Sequence, residues 1–318
     1  MEINNDDWDF PTIPLEELIN DFGWESISEW TKFWEKNNFS SIEKEVSSKV
    51  RNDWIWGLLL PLLSNALYLK NNSKERKLIG LSALPGTGKT YLGTLIKKLS
   101  SSLNMNIVVI SIDDFYLPLE ERESLIKGNP WNVSRGFPGT HSTDLMLEKL
   151  LQWKDTGILN VPVFDKSLRN GLGDRSHWIT DKPDLVILEG WFLCVEPLSS
   201  FKEEDNSNSF ALTSSEVTYR SQIQKNLTSY INVWKIIDKI WHLKPREFNY
   251  MDRWKIQQEE EMLKIKGSAL VDKKLFDFIR MLNTSIPKKS FDLINSDFLV
   301  ILNEDRKLNW VGLTKKYI

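Results

Sequence analysis

The stretch "SALPGTGKT" at residues 82–90 has the composition of a loop that binds nucleotide phosphates. Its glycines allow the backbone to approach a phosphate closely at positive φ. Its N–H groups precede a predicted helix, whose dipole favours anions at that end. We expect six consecutive residues to bind the triphosphate of ATP: Pro85, Gly86, Thr87, Gly88, Lys89 and Thr90.

Two residues of this loop have separate tasks. The Lys89 ammonium can reach the β- and γ-phosphates, and the Thr90 hydroxyl can bind Mg²⁺. Ala83 stands where such loops usually carry a first glycine, but a methyl group is easier to accommodate at a strand end than at Gly86 or Gly88. The alternative is a turn that caps a helix and binds nothing. The order of strand, loop and helix favours nucleotide binding.

Acidic residues follow two further apolar segments. "NIVVISIDDFYLP" places Asp113 and Asp114 at the end of a predicted strand, and "PDLVILEGW" places Glu189 in the same way. The carboxyl ends of parallel strands face the ligand crevice. Asp113 can therefore accept the proton of an attacking hydroxyl, although it could instead cap the following turn, the favoured role for Asp114. Glu189 can assist Mg²⁺, and the two acids together indicate phosphoryl transfer to an alcohol.

The elements that must position these residues form an alternating pattern after residue 75. Short apolar segments are separated by helical patterns, which indicates an α/β fold with a parallel sheet covered on both faces. Five strands are expected: "KLIGLS", "NIVVISID", "DLVILEG", "DKIWHLK" and "FLVILN". We expect the order 2-3-1-4-5, with the strand before the phosphate loop in the middle.

Residues 1–75 are predicted to form an N-terminal helical extension of the domain at residues 76–318. Apolar positions three and four apart in "SISEWTKFWEKN" predict an amphipathic helix. Ser26 can cap it, with Glu29 completing a capping box, and Ser28 is the alternative cap.

Two other segments have distinctive composition. The apolar run at residues 54–69 is shorter than the ~20 residues that span a bilayer and contains a proline, so we expect a buried helix and no membrane partner. The polar, serine-rich segment 202–222 predicts a mobile surface insertion.

Overall composition limits the function classes. The chain has 318 residues and a net charge of −3, which argues against nucleic acid as a partner. A single cysteine, Cys194, excludes an internal disulfide and suits a reduced, cytoplasmic setting. The acidic N-terminus lacks the layout of a signal peptide, and we expect a cytoplasmic protein.

These motifs together resemble the superfamily of phosphoribulokinase, uridine kinase and pantothenate kinase. The similarity is greater to its D-glycerate 3-kinase branch, known from plants and cyanobacteria. The stretches that carry it are "SIDDFYLP", "RGFPGTHSTDL", "VPVFDKSLRNGLGDR", "LVILEGWFLCVEPL" and "MDRWKIQQEEEMLK". The resemblance covers residues 77–318 and implies a P-loop kinase fold. Besides Ala83, the chain departs from the branch at Phe164, where tyrosine is expected before Asp165.

The resemblance implies phosphorylation of D-glycerate at its 3-hydroxyl by MgATP. A small anion needs fixed cations, and a bidentate arginine is a suitable clamp for its carboxylate. Basic residues lie in glycine-containing segments between the Asp113 and Glu189 strands, although each alone could be a solvated loop residue. We expect seven residues to line the acceptor site: Asp113, Tyr116, Arg135, His141, Asp165, Lys166 and Arg175.

Kinases must also exclude water from the γ-phosphate, which a closing segment achieves. The resemblance implies a lid at about residues 245–265. Arg246 and Arg253 could neutralise charge in the transition state, with Arg253 favoured, or both could pair with the acidic run at 259–261. Three residues are expected to be catalytic: Asp113, Lys89 and Arg253.

Two alternative functions remain open. The first is a kinase for another small alcohol, such as pantothenate, uridine or a sugar. Uridine would require aromatic stacking and pantothenate an apolar channel, so the cation-rich segments favour a small acid. The second is a regulatory protein that binds ATP without turnover, which would need no base such as Asp113.

Overall fold

The computed structural model describes residue 8 and residues 10–39, 51–199, 210–267 and 269–317. Within these residues, six strands form one sheet and two form a separate hairpin. The strands are β1 (Lys77–Ala83), β2 (Ile107–Ser111), β3 (Leu159–Asp165), β4 (Asp174–Asp181), β5 (Leu185–Gly190), β6 (Lys239–Pro245), β7 (Phe298–Leu302) and β8 (Leu308–Leu313). No helix in the described part of the chain is long and apolar enough to cross a bilayer.

The main sheet has the strand order β2-β5-β1-β6-β7-β8. The first five strands pair in parallel, and β1 lies in the middle of these five. The predicted α/β fold and the predicted order of the parallel strands are therefore confirmed. The additional strand β8 was not predicted; it pairs antiparallel with β7 and covers the edge of the parallel sheet.

Helices cover both faces of the sheet. The main helices are α1 (Thr12–Asp21), α2 (Ile27–Trp34), α3 (Leu60–Asn72), α4 (Lys89–Ser102), α5 (Leu119–Ile126), α6 (Thr143–Thr156), α7 (Ser214–Leu227), α8 (Ile231–Trp234), α9 (Tyr250–Lys266), α10 (Asp272–Thr284) and α11 (Lys288–Asp292). Along β1, Ile79 and Leu81 belong to the core shared with α1–α4, whereas Leu78 belongs to the core on the opposite face. The strand is largely apolar between Lys77 and Ser82 because both of its faces are buried.

The N-terminal helices pack on one face of the sheet, with α1 against β8. Ser26 caps α2 by accepting a hydrogen bond from the Glu29 N–H at 3.2 Å. The Glu29 carboxylate accepts from the N–H of Glu25 rather than from that of Ser26, so the predicted capping box is displaced by one residue. The apolar run 54–69 is helical and largely buried, as predicted, with a π-helical turn at Ile55–Leu59.

Parts of two segments that were expected to be irregular are regular instead. "VPVFDKSLRNGLGDR" contributes β3 and the start of β4, which form an antiparallel hairpin. Of the predicted insertion, residues 202–209 lie outside the described residues, whereas residues 214–222 belong to α7. Thr213 and Glu216 form the capping box of α7, and Glu216 is buried. The segment begins a helix at this point because the Thr213 hydroxyl accepts from the free Glu216 N–H.

Candidate active site

The phosphate loop joins β1 to α4, which begins at Lys89. Gly86 and Gly88 have φ of 77° and 106°. A Cβ on Gly86 would lie 2.6 Å from the backbone carbon of Trp254, and one on Gly88 would lie 3.3 Å from the Trp54 ring. Both positions therefore require glycine, through conformation and through close approach of their neighbours.

Lys89 lies inside this loop. Its Nζ donates to the carbonyls of Ala83 at 2.6 Å and Leu84 at 3.1 Å, and lies 3.9 Å from Glu189 Oε2. Burial lowers the pKa of Lys89, against the effect of Glu189. Burial likewise raises the pKa of Glu189, against the effect of Lys89. Both charges are poorly solvated, so a phosphate beside Lys89 and a cation beside Glu189 would stabilise them.

Asp113 lies in the 3₁₀ turn Ile112–Phe115 that follows β2. Its Oδ2 accepts a hydrogen bond from Lys166 Nζ at 2.9 Å, and its Oδ1 lies 3.8 Å from His141 Nε2. Burial would raise the pKa of Asp113, but Lys166 and His141 outweigh it and hold that pKa well below its usual range. The carboxylate is therefore ionised and faces a cation and an imidazole.

Asp114 has a structural role. Its Oδ2 accepts from the Ser111 N–H at 3.0 Å, and Asp114 and Ser111 form the capping box of the turn. Its Oδ1 accepts from the Phe164 N–H at 3.4 Å, which ties the turn to β3. Burial raises the pKa of Asp114, against these backbone hydrogen bonds. The two neighbouring carboxylates therefore have different surroundings: Asp113 faces Lys166 and His141, whereas Asp114 stabilises the turn.

An aromatic wall borders Asp113. The rings of Tyr116 and His141 stack with centroids 4.2 Å apart, and the two residues form a β-bridge. Phe164 packs edge-on against Tyr116 at 4.9 Å. Burial raises the pKa of the Tyr116 phenol, and the Asp113 carboxylate adds to this shift. The predicted residues Asp113, Tyr116 and His141 are therefore brought together by packing.

Arg122 was missed by the sequence analysis, although it organises this wall. Its side chain is fully buried in the protein. Its guanidinium donates to the carbonyls of Leu117, Ser134, Leu172 and Gly173 at 2.7–2.9 Å. It therefore ties three separate segments together around the predicted acceptor site. No pattern around "EERES" distinguishes this arginine from a solvated helix residue.

Phe164, the departure from the expected tyrosine, has a clear packing partner. The Arg122 and Arg135 guanidinium groups lie 5.2 Å and 5.7 Å from its ring centroid. Cations at this distance are attracted to the face of an aromatic ring. Phenylalanine can therefore serve here without a phenol hydroxyl.

The two predicted clamp arginines hold the turn of the β3–β4 hairpin differently. Arg135 Nη1 donates to the carbonyls of Gly171 at 3.0 Å and Leu172 at 2.7 Å. Arg175 lies on β4, not in a loop, and its Nε donates to the Tyr116 carbonyl at 3.0 Å. Its Nη2 is buried and has no hydrogen-bond partner in the described part of the chain. Arg175 therefore keeps a donor for a ligand, whereas Arg135 mainly supports the turn.

Asp165 ends β3 and shapes the residues that follow it. Its Oδ1 accepts from the Ser167 N–H at 2.8 Å and from the Ser167 hydroxyl at 2.6 Å. This turn presents the intervening Lys166 to Asp113. Asp165 is thus placed to position Lys166.

Helix α9 lies in the predicted lid segment, and its Arg253 contacts residues other than those expected. Arg253 is half exposed and pairs with Asp305 at 2.7 Å and Glu304 at 3.3 Å, in the turn between β7 and β8. It pairs neither with the phosphate loop nor with the acidic run at 259–261. Positions 253 and 255 lie about 200° apart around a helix of 3.6 residues per turn. Lys255, which was not predicted as a site residue, therefore lies on the opposite side of the helix from Arg253.

Lys255 is the cation of α9 that faces the candidate site. Its side chain is buried and forms an ion pair with Glu259 one turn later. Burial lowers its pKa against the effect of Glu259, and Lys166 and Asp113 lie close enough to influence that pKa as well. A helical i,i+4 Lys–Glu pair was the sequence signal available, but such pairs are common on exposed faces.

Arg246 lies at the end of β6, on another side of the phosphate loop. It lines a cavity of about 260 Å³ together with Leu84 of that loop and three lysines: Lys244, Lys288 and Lys289. Its backbone N–H donates to the Leu302 carbonyl at 2.8 Å, which joins the start of the lid segment to β7. The cations give this side of the loop a positive charge.

The chain is similar in sequence to known kinases. No family model matches the chain. It is 30% identical over 214 residues to the uncharacterized kinase mug58 of Schizosaccharomyces pombe, covering 64% of this chain and 76% of that protein. It is 30% identical over 230 residues to the chloroplastic D-glycerate 3-kinase of Arabidopsis thaliana, covering 68% of this chain and 48% of that enzyme. The chain therefore spans about half the length of the Arabidopsis enzyme.

A solved structure is similar over most of the chain. D-glycerate 3-kinase from Cryptococcus neoformans superimposes with a TM-score of 0.68 at 25% identity, covering 79% of this chain and 96% of that one. The protein of the structure titled YGR205w gives a TM-score of 0.62 at 24% identity and supports the fold alone.

Proposed function

Because the chain belongs to the family of P-loop kinases that includes D-glycerate 3-kinase and the fungal kinase mug58, we propose that it phosphorylates D-glycerate. The γ-phosphoryl group of ATP is transferred to the 3-hydroxyl, giving 3-phosphoglycerate and ADP. The hydroxyl proton leaves to a base of the protein.

The single observation that carries this proposal is the group formed by Asp113, Lys166 and His141 beside the phosphate loop. Asp113 follows β2, Glu189 is the second-last residue of β5, and these two strands pair directly in the sheet. An ionised carboxylate close to the γ-phosphate can orient the attacking hydroxyl and accept its proton. A regulatory ATP-binding protein would need no such base.

A small anionic acceptor suits the donors around this group. Arg175 Nη2 and His141 Nε2 are both buried without hydrogen-bond partners among the residues that the structure describes. A buried donor that lacks a partner is costly, so each is expected to meet an acceptor in the working complex. A carboxylate can accept from such donors, and a Lys166 ammonium that turns towards it would release Asp113 to act as base.

Thr90 and Glu189 fit a bound Mg²⁺ through the chemistry of their oxygens. Mg²⁺ prefers hard oxygen ligands and usually needs one or two from the protein when it is bound with nucleotide phosphates. Glu189 is a poorly solvated carboxylate beside the loop, and Thr90 is the second residue of α4, which follows it. When bound, the ion would supply positive charge to the β- and γ-phosphates.

The test is ADP release in a coupled assay with and without D-glycerate. We expect release that depends on glycerate, with 3-phosphoglycerate identified by ³¹P NMR. Lys89→Ala, which removes the ammonium at the phosphates, should lower activity by orders of magnitude, whereas Lys97→Ala on the exposed side of the same helix should not. Turnover with pantothenate or uridine instead would identify another acceptor, and ADP release without any acceptor would contradict the proposal.

A further inference from the structure

The hydroxyl of Tyr230 lies between two groups of the acceptor site. Its oxygen is 3.0 Å from the Gly139 nitrogen and 2.8 Å from His141 Nδ1. The side chain is fully buried. Its ring packs edge-on against Phe192 at 5.2 Å and stacks on Trp234 at 5.5 Å. The hydroxyl is therefore held in place by packing on both sides.

These contacts determine where the protons lie. The Gly139 N–H can only donate, so the Tyr230 oxygen accepts from it. The single hydroxyl hydrogen then has His141 Nδ1 as its acceptor, and a buried hydroxyl hydrogen without an acceptor would be costly. A neutral His141 that accepts at Nδ1 carries its own proton on Nε2.

The other nitrogen of the same ring faces the candidate base. His141 Nε2 lies 3.8 Å from Asp113 Oδ1 and has no hydrogen-bond partner among the described residues. With the proton on Nε2, an N–H points towards the carboxylate and towards any acceptor oxygen beside it. With the proton on Nδ1, a lone pair would face the carboxylate and the two would repel.

We propose that Tyr230 is a positioning residue that holds His141 as the Nε2–H tautomer, so that a neutral N–H donor lies beside Asp113. The donor orients Asp113 and the acceptor alcohol without adding a further full charge to the pocket. The effect of Tyr230 on catalysis rests on the proposed kinase function. The assignment of the His141 tautomer does not depend on that function.

The loop that carries His141 is fixed from the same side of the protein. Asn226, one turn before Tyr230, donates from Nδ2 to the Pro138 carbonyl at 2.9 Å. Asn226 therefore holds the loop beside the Gly139–Tyr230 contact, and Tyr230 also selects the protonation of the ring. Removing the Tyr230 hydroxyl should leave the loop in place and change the tautomer.

The direct test is ¹⁵N NMR of the histidine rings in the full chain. The sequence has three histidines, and His141→Gln identifies the resonances of His141 by their loss. We expect unprotonated Nδ1 and protonated Nε2 in the unsubstituted protein. A spectrum with the proton on Nδ1 would overturn the proposal, whether or not the protein phosphorylates glycerate and whether or not any Tyr230 variant folds.

Tyr230→Phe provides the second readout, with Tyr219→Phe on α7 as the matched control. We expect Tyr230→Phe to lose the Nε2–H pattern and to lower kcat about tenfold to a hundredfold, as for removal of one partner of a buried hydrogen bond, with the KM for MgATP unchanged. Tyr219→Phe should change neither the His141 spectrum nor kcat. An unchanged His141 spectrum in folded Tyr230→Phe protein would contradict the assignment.

Discussion

Lys166 Nζ lies 2.9 Å from Asp113 Oδ2, and the two residues come from different parts of the fold. Asp113 follows a strand of the main sheet, whereas Lys166 follows β3 of the separate hairpin. The protonation of the candidate base is therefore controlled by the position of the hairpin. A substrate that attracts the Lys166 ammonium would raise the basicity of Asp113 at the point of reaction.

Replacing Lys166 with glutamine should move the acid limb of the pH–rate profile. Burial tends to raise the pKa of Asp113, and Lys166 is the largest influence that lowers it. A base works while it is ionised, so the low pKa of Asp113 keeps the unsubstituted protein active at acidic pH. Lys166→Gln should raise that pKa and shift the acid limb of kcat/KM to higher pH. Lys182→Gln beyond β4 is the control, and an acid limb that does not move would disprove the coupling.

Asp113→Asn and Asp114→Asn should separate chemistry from structure. Asp113→Asn keeps the shape of the side chain but loses the base, so kcat should fall about 10²- to 10⁴-fold, the usual contribution of a general base, with little change in the KM for MgATP. Additional Mg²⁺ should not restore activity. Asp114→Asn weakens a capping box and should mainly lower stability, by about 1 kcal/mol in urea unfolding. Equal kinetic damage from both substitutions would argue against Asp113 as the base.

Glu216→Gln should destabilise the protein at neutral pH. Glu216 accepts from Arg280 Nε and Nη2 at 2.7 Å and from Trp131 Nε1 at 3.0 Å, and its carboxylate is buried. Breaking a buried pair by removing one charge costs about 3 kcal/mol or more. Urea unfolding measures this loss, and the exposed Glu148→Gln is the control.

The pH dependence of the same pair has a definite sign. Burial tends to raise the pKa of Glu216, but Arg280 and the hydrogen bonds from Thr213 lower it overall. A carboxyl group with a lowered pKa stabilises the fold above its unfolded pKa, and that stabilisation is lost as pH falls through the folded value. The difference in unfolding free energy between the parent and Glu216→Gln should therefore narrow in acid. A constant difference from pH 7 into the acid range would contradict this ionic role.

Features that depend on short spacing were predictable from the sequence. The glycines and Lys89 of the phosphate loop lie next to one another in the sequence. Each of the five parallel strands is indicated by its own apolar segment. Other features could not be predicted from periodicity alone. Contacts with residues far away in the sequence define the roles of Arg122 and Tyr230, and the role of Lys255 depends on which face of its helix is buried. The strand β8 was not predicted because apolar and polar residues do not alternate regularly in its sequence, "LNWVGL". It follows its partner β7 after a short turn.

The two cations of the lid helix should differ in their effect on catalysis. Arg253 pairs with residues of the β7–β8 turn, whereas Lys255 is buried towards Asp113 and Lys166. Loss of a charge that stabilises the transferring phosphoryl group costs about a hundredfold in kcat. We therefore expect Lys255→Gln to lower kcat by about this factor, and Arg253→Gln to have little effect.

Lys255→Gln also leaves the buried Glu259 without its partner, so a second variant is needed. The double substitution Lys255→Gln/Glu259→Gln removes both charges of the pair and restores the charge balance. If Lys255 acts on the phosphates, kcat stays low in the double variant even where urea unfolding shows that stability has returned. Recovery of kcat together with stability would assign the damage to the unpaired Glu259, and a larger loss from Arg253→Gln than from Lys255→Gln would restore Arg253 as the lid cation.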